Sequence, residues 1–259
     1  MITNPVIDQM MNRKSIRAYS GREPTQEELE GLVRAGQQAP FASQLGSLLL
    51  RRDREHNPFG APLFFIICVD AHRWELIMAK RNWEMVSSDL LVMLLGMQDA
   101  ALMAENMVIA AESLGMGSCF LGAIPYHAEE IIEEFGLPPR VFPMVGLVVG
   151  FPDENPPPRP RYPLDFSLFE DKYPEFTDGQ VTEAMQVMDA GYLDQDYYRN
   201  LKAKIKIKDE SREDTFDYDT YSWTEHICRK WGQDLFPPNL LEKYEKCGFY
   251  IGKRDGQEE

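Results

Sequence analysis

Cysteine is scarce and poorly spaced for metal or disulfide chemistry. The chain has four, Cys68, Cys119, Cys228 and Cys247, and no Cys-x-x-Cys pair, so they read as reduced thiols of a cytoplasmic protein. Histidine is equally sparse: His56, His72, His127 and His226 are scattered, and no metal site is expected. Cations are in deficit. The 27 Lys and Arg against 42 Asp and Glu leave a formal net charge of −15. Such a field repels nucleic acid and anionic lipid, so neither nucleic acid nor a membrane is expected as a partner. The start, Met1-Ile2-Thr3-Asn4-Pro5, lacks the basic and apolar regions of a signal peptide. The longest apolar run, 89–114, is interrupted by Gln98, Asp99, Glu105, Asn106 and Glu112, which argues against a membrane span. No convincing catalytic triad, metal set or Walker motif is present, and no catalytic side chain is assigned. No internal repeat is visible.

What remains is a soluble globular composition, 44% hydrophobic and 27% charged over 259 residues, enough for one large domain or two small ones. In this acidic chain one stretch stands apart: Arg13-Lys14-Ser15-Ile16-Arg17-Ala18-Tyr19. Three cations and a hydroxyl within five residues suit an anion site, with guanidinium forks, an ammonium and backbone N–H groups closing on a phosphate. The alternative is a solvated helix end, where cations face the negative pole.

Hydrophobic spacing predicts the surrounding elements. Asn4 and Pro5 open a first helix whose apolar face is Val6, Ile7, Met10 and Met11. Thr25 and Glu28 form a capping box for a second helix, running to about Gln38. Residues 39–46 form a loop of small residues. Strands are expected over 47–51, 63–69, 118–124 and 141–149, and a short amphipathic helix over 125–136. The run 89–114 reads as a central helix, apolar nearly all round and therefore buried. After Gly150 the composition shifts to a stiff, proline-rich ribbon carrying Arg159 and Arg161. Beyond it, 181–198, 223–231 and 239–246 are helical but have too few apolar positions for an independent core. These helices would wrap the alternating helices and strands of 1–150 or a partner subunit. Residues 202–208 alternate cation and apolar side chain, as in a mobile surface loop or a protected edge strand.

Several stretches taken together, in order, resemble the nitroreductase family of FMN-dependent enzymes, closest to its NADPH-preferring nitroreductase and flavin reductase branch. They are Arg13 to Arg17, the Ala39-Pro40 loop, Ala110 to Gly117, Cys119-Phe120-Leu121-Gly122, Phe142 to Pro152 and Arg159-Pro160-Arg161. The resemblance, over 1–163, implies a core, 1–163, and a helical extension, 164–259, in an α+β fold with a mixed central sheet flanked by helices, as an intertwined homodimer with two FMN at the interface. It implies that Arg13, Lys14 and Ser15 hold the phosphate and ribityl end, and that Arg17 lies by the N1/O2 edge of the ring. Pro40, Phe41, Ala42 and Gln44 would come from the other subunit. Leu121, Gly122 and Ala123 would pass along the flavin face, and Arg159 and Arg161 would close on the phosphate. The chain departs from the family where Phe41 replaces a serine, Gln44 an asparagine and Arg159 a lysine, and where 56–62 offers no secure flavin-facing amide.

The activity implied is that of an FMN-dependent NAD(P)H oxidoreductase, with NADPH or NADH as donor. A small-molecule acceptor, nitroaromatic, quinone or flavin, would be reduced in ping-pong order by hydride transfer. Arg212, Lys206 and Lys208 are candidates for the 2′-phosphate of NADPH. The alternatives are a non-catalytic flavin-binding sensor or storage module, in which Phe41 plugs the cavity, and a phosphate-binding interaction protein without flavin.

Overall fold

The computed structural model describes residues 2–251. Two compact units emerge: residues up to Pro156 together with those from Pro237 onward, and Pro157–Phe236. The units part between Pro156 and Pro157, inside the proline ribbon, and not at the expected boundary after 163, which lies at the ribbon's end. The expected single extension is divided, because its last helix belongs to the first unit.

In the first unit, Asn4 accepts the N–H groups of Val6 and Ile7 and starts α1 (Pro5–Met11). Thr25 and Glu28 close their capping box on α2 (Gln26–Gln37). Strands β1 (Gly46–Arg51), β2 (Leu63–Asp70), β3 (Gly117–Leu121) and β4 (Val141–Gly150) form one sheet in the order β1-β2-β4-β3. β2 is buried along its whole length, as its unbroken Leu-Phe-Phe-Ile-Ile-Cys-Val run requires of an interior strand. Every strand pair is antiparallel. Among the described residues, the parallel pairing that a mixed sheet calls for is confined to the isolated bridge between Ser15 and Ser118.

The long helix α4 (Asp89–Ser113), capped by Ser88, lies across this sheet. Leu32 of α2, Phe65 and Ile67 of β2, Met107 and Val108 of α4 and Leu147 of β4 share one core. Gly96 lets α4 approach β2, since a Cβ there would stand 2.3 Å from Val69 Cγ1. By length and composition α4 could cross a membrane, yet Val92, Met93, Ala100, Ala104, Met107 and Ala111 are core residues. The expectation that α4 is buried all round is corrected. Leu90, Leu91, Leu94 and Leu102 are exposed, and so are Val6, Met10 and Met11 of α1. One chain covers only one side of this helix.

A helix that the sequence reading did not anticipate, α3 (His72–Lys80), follows β2. The 125–136 segment is a 3₁₀ turn followed by α5 (Ala128–Phe135). From the tail, α9 (Leu240–Lys246) returns to α5. Lys243 and Lys246 both pair with Glu129, and Tyr244 packs on Phe142 at 4.4 Å between ring centroids.

The second unit contains α6 (Asp178–Leu193), α7 (Tyr197–Leu201) and α8 (Trp223–Trp231). Aromatic contacts among Tyr192, Tyr197, Tyr198, Tyr221 and His226 replace an aliphatic core. Residues 203–208 form no strand. Arg229, buried on α8, donates to the Ile205 carbonyl and pairs with Asp214 and Glu225. Lys204 pairs with Asp214, and Lys208 donates to the Asp234 carbonyl. The segment is pinned, which corrects the expected mobile loop.

Candidate functional site

The basic segment Arg13–Arg17 is fixed by backbone pairing on two sides. Ser15 bridges Ser118 of β3, and the Ile16 N–H donates to the Ser118 carbonyl at 2.9 Å. Beyond it Tyr19 bridges Pro152, and the Ser20 N–H donates to the Phe151 carbonyl at 2.8 Å. Glu154 Oε1 accepts the N–H groups of both Arg17 and Ala18. Gly117 permits this approach, because Ile16 Cγ1 would lie 2.4 Å from a Cβ there.

Side chains on this segment take different sides. Ile16 and Lys14 line a cavity of about 230 Å³ with Gln9, Glu112, Met116 and Asn155. Lys14 Nζ donates there to Asn155 Oδ1. Arg13, Ser15 and Arg17 do not line that cavity. The Arg13 guanidinium lies 6.0 Å from the ring centroid of Phe120. Burial pushes the Glu112 carboxyl above its ordinary range, while the nearby Arg13 and Lys14 pull it back. Leu121 ends β3; Gly122 and Ala123, just beyond it, are exposed.

The loop between α2 and β1 builds a second cavity, of about 320 Å³, lined by Pro40, Phe41, Gln44, Arg73, Asp99 and Met103 among others. Asp99 of α4 is buried and accepts three backbone N–H groups of the loop, from Ala42, Ser43 and Leu45. In the sequence Asp99 reads only as a polar interruption of an apolar run. Asn57, the amide within 56–62, is buried and bonded to Arg51 and the Ala61 carbonyl, so it is a structural residue of its own turn.

The structure therefore sets Arg13–Arg17 against the start of β3, through the Ser15–Ser118 bridge, and Leu121–Ala123 at and just beyond that strand's other end. It places Pro40, Phe41, Ala42 and Gln44 elsewhere. Met103 lines one cavity and Glu112 the other, and along α4 they are about 14 Å apart at a rise of ~1.5 Å per residue. Arg159 and Arg161 belong to the second unit. Within it Arg159 donates to Gln195 and stacks on Tyr197 at 3.9 Å, and Arg161 donates to the Arg159 and Pro160 carbonyls.

The residues of the first unit suit FMN. Arg13 and Arg17 carry the charge that a phosphate and an electron-rich ring edge would need, and Ser15 a hydroxyl, whereas Lys14 faces the cavity of Ile16 and is bonded to Asn155. Gly122, just beyond β3, leaves open backbone: no heavy atom lies within 4 Å of where its Cβ would stand. A flat ring can approach such a surface.

The description of the nitroreductase family matches residues 50–151. The FMN reductase (NADPH) of Bacillus subtilis (strain 168) is 32% identical over 213 residues, covering 76% of this chain and 84% of that protein. A second protein of the same organism, FMN reductase (NAD(P)H), is 27% identical over 266 residues, covering 96% of this chain and all 100% of its own length. Among solved structures, B. megaterium NfrA2 has a TM-score of 0.82 at 26% identity, covering 97% of this chain and 100% of that one. The basic segment clamped to β3, the antiparallel sheet under one long helix and relatives spanning nearly the whole length agree, and the chain belongs to the nitroreductase family.

Proposed function

We propose that this protein is an FMN-dependent NAD(P)H oxidoreductase acting as a homodimer, with each flavin site assembled from two copies. The observation that carries this reading is the separation of the site's two parts along α4. Arg13 to Arg17 with Leu121 to Ala123 would form one half, and Pro40 to Gln44 of a second copy the other. The exposed Leu90, Leu91, Leu94 and Leu102 of α4 and Val6, Met10 and Met11 of α1 support such a pairing, because they form apolar surface that one chain leaves uncovered.

Bound FMN would supply reversible hydride chemistry between a reduced nicotinamide and an organic acceptor. The protein's own tasks are then to bind, orient and tune. Arg13 and Ser15 would hold the phosphate and ribityl end, and Lys14, bonded to Asn155 on the other side of the segment, would support it only from behind. Arg17 would place positive charge where reduction leaves negative charge, which favours the reduced form in a partly dry site. No acid or base of the chain is needed, and none is assigned. The donor would leave before the acceptor enters. Nitroaromatics, quinones or free flavins are the acceptors proposed. The open cavity of about 320 Å³ beside Phe41 supports turnover over a plugged storage module.

NADPH is proposed as the preferred donor. Lys208 is committed to the Asp234 carbonyl, which leaves Lys206 and Arg212 as the cations for its 2′-phosphate. The free thiols of Cys68, Cys119, Cys228 and Cys247 support a reducing, cytoplasmic setting.

The test is an absorbance spectrum of protein purified with FMN, before and after NADPH. A flavin spectrum that bleaches within seconds and returns on adding a quinone is expected. Protein that takes up no FMN, or holds it without bleaching, refutes the reading.

A further inference from the structure

The loop between α2 and β1 is held on both sides of its backbone. Asp99, 3% exposed, accepts the N–H groups of Ala42 at 2.6 Å, Ser43 at 3.1 Å and Leu45 at 2.9 Å. Opposite them, the Ser43 carbonyl accepts Trp74 Nε1 at 2.5 Å, and the Gln44 and Gly46 carbonyls accept Arg73 Nη2 at 3.1 and 2.6 Å. The Leu45 carbonyl accepts the Asp70 N–H at 2.6 Å, and Asp70 pairs with Arg73 at 2.9 Å. Gln44 is held at φ +51°, a left-handed conformation that a non-glycine residue keeps only when its surroundings impose it.

Phe41 immediately precedes the first anchored amide. Its side chain is 55% exposed and lines the cavity of about 320 Å³. On a slack loop such a ring would fold onto the protein, since burying it is favourable. Here the next residue is tied to a buried carboxylate, and charge-assisted bonds of this kind are strong. The backbone that presents the ring to the cavity is anchored from the very next residue on.

We infer that Phe41, carried on an anchored loop, is an aromatic wall of the acceptor site that selects flat aromatic acceptors, quinones and nitroaromatics, over oxidants without a ring, and that Asp99 is the residue that positions the loop beneath it. The inference rests on the proposed function, in which Pro40 to Gln44 face a flavin held by the second copy. The wall forms and breaks no covalent bond. It acts by stacking, a contact that changes affinity by about 2- to 12-fold.

The test compares KM for a 1,4-naphthoquinone with KM for ferricyanide in the FMN-loaded enzyme, NADPH being saturating. Phe41→Leu raises the quinone-to-ferricyanide KM ratio by about 5-fold, within the range of one aromatic contact, and Phe41→Tyr restores it. Asp99→Asn moves the ratio in the same direction and speeds hydrogen exchange at the amides of Ala42, Ser43 and Leu45, leaving those of β2 slow. A Phe41→Leu ratio equal to wild type overturns the proposal, and so does dissociation of that variant into monomers, which would make Phe41 an interface residue. If Asp99→Asn does not fold, the Phe41 series decides alone. Bound FMN per chain separates the two levels: full occupancy with an unmoved ratio refutes the wall only, whereas wild-type protein that binds no FMN refutes the function beneath it.

Discussion

Gly117 has no room for a methyl group. A Cβ there would stand 2.4 Å from Ile16 Cγ1 and 3.2 Å from Pro152 Cγ, and Ile16, β-branched and 2% exposed, has nowhere to go. Because Ile16 lies between the cations of the basic segment, displacing it moves Arg13 to Arg17 away from β3. Gly117→Ala is expected to cost about 1–3 kcal/mol of stability and to weaken FMN binding. Gly31→Ala, with no heavy atom within 4 Å of its Cβ position, serves as the control. Thermal melts with and without FMN check this; a variant that melts and binds like wild type would remove Gly117 from the argument. At this scale the sequence is unevenly legible. A cluster of three cations in an acidic chain announces itself. Asp99 does not, because its meaning lies in bonds to residues more than fifty positions earlier, and no local pattern encodes those.

Among the elements, β2 and α2 were plain from an unbroken apolar run and a capping box, and both form as expected. α3 was hidden because His72, Arg73, Glu75 and Lys80 interrupt its apolar positions while Leu76 and Ile77 remain exposed. α8 and the segment it pins carry a pH response. The Ile205 N–H donates to Tyr221 Oη at 3.0 Å, and Tyr221 Oη lies 2.9 Å from His226 Nδ1. The other side of the His226 ring bonds the Ala203 carbonyl. Burial, aided by Lys230 and Arg229 and opposed by the Ala203 bond, holds His226 below its ordinary pKa. The folded form therefore resists protonation while the unfolded chain does not. Stability from this group is whole above about pH 6.5 and is lost as pH falls from there toward the depressed value. Asp214, held well below the usual carboxylate range by Arg229 and Lys204, yields only in stronger acid. Protection of the Ile205 amide, corrected for intrinsic exchange, should fall between pH 7.5 and 5.5. A flat profile, or one that persists in His226→Asn, would count against this account.

For the molecule as a whole, the α+β architecture could be read from alternating periodicities, and the proline ribbon marked the start of the second unit within a few residues. What composition could not show was that α9 returns to the first unit, since that depends on Glu129 meeting Lys243 and Lys246 across distant sequence. The all-round apolar character of α4 was visible too, but its cause was not. An apolar helix that one chain half covers carries the same residue pattern as one buried outright, and only coordinates separate them.

The parting of Lys14 from Phe41 along α4 has a genetic consequence. Consider two altered chains, one bearing Arg17→Ala and the other Asp99→Asn, co-expressed with different tags and recovered as the doubly tagged hybrid. One pocket of the hybrid inherits both lesions and the other inherits neither. The hybrid should show about half the turnover of the native pair at the native quinone-to-ferricyanide KM ratio, as a closed two-fold assembly requires. Were each pocket furnished by a single polypeptide, the pocket that still turns over would carry Asp99→Asn and the hybrid would show the shifted ratio.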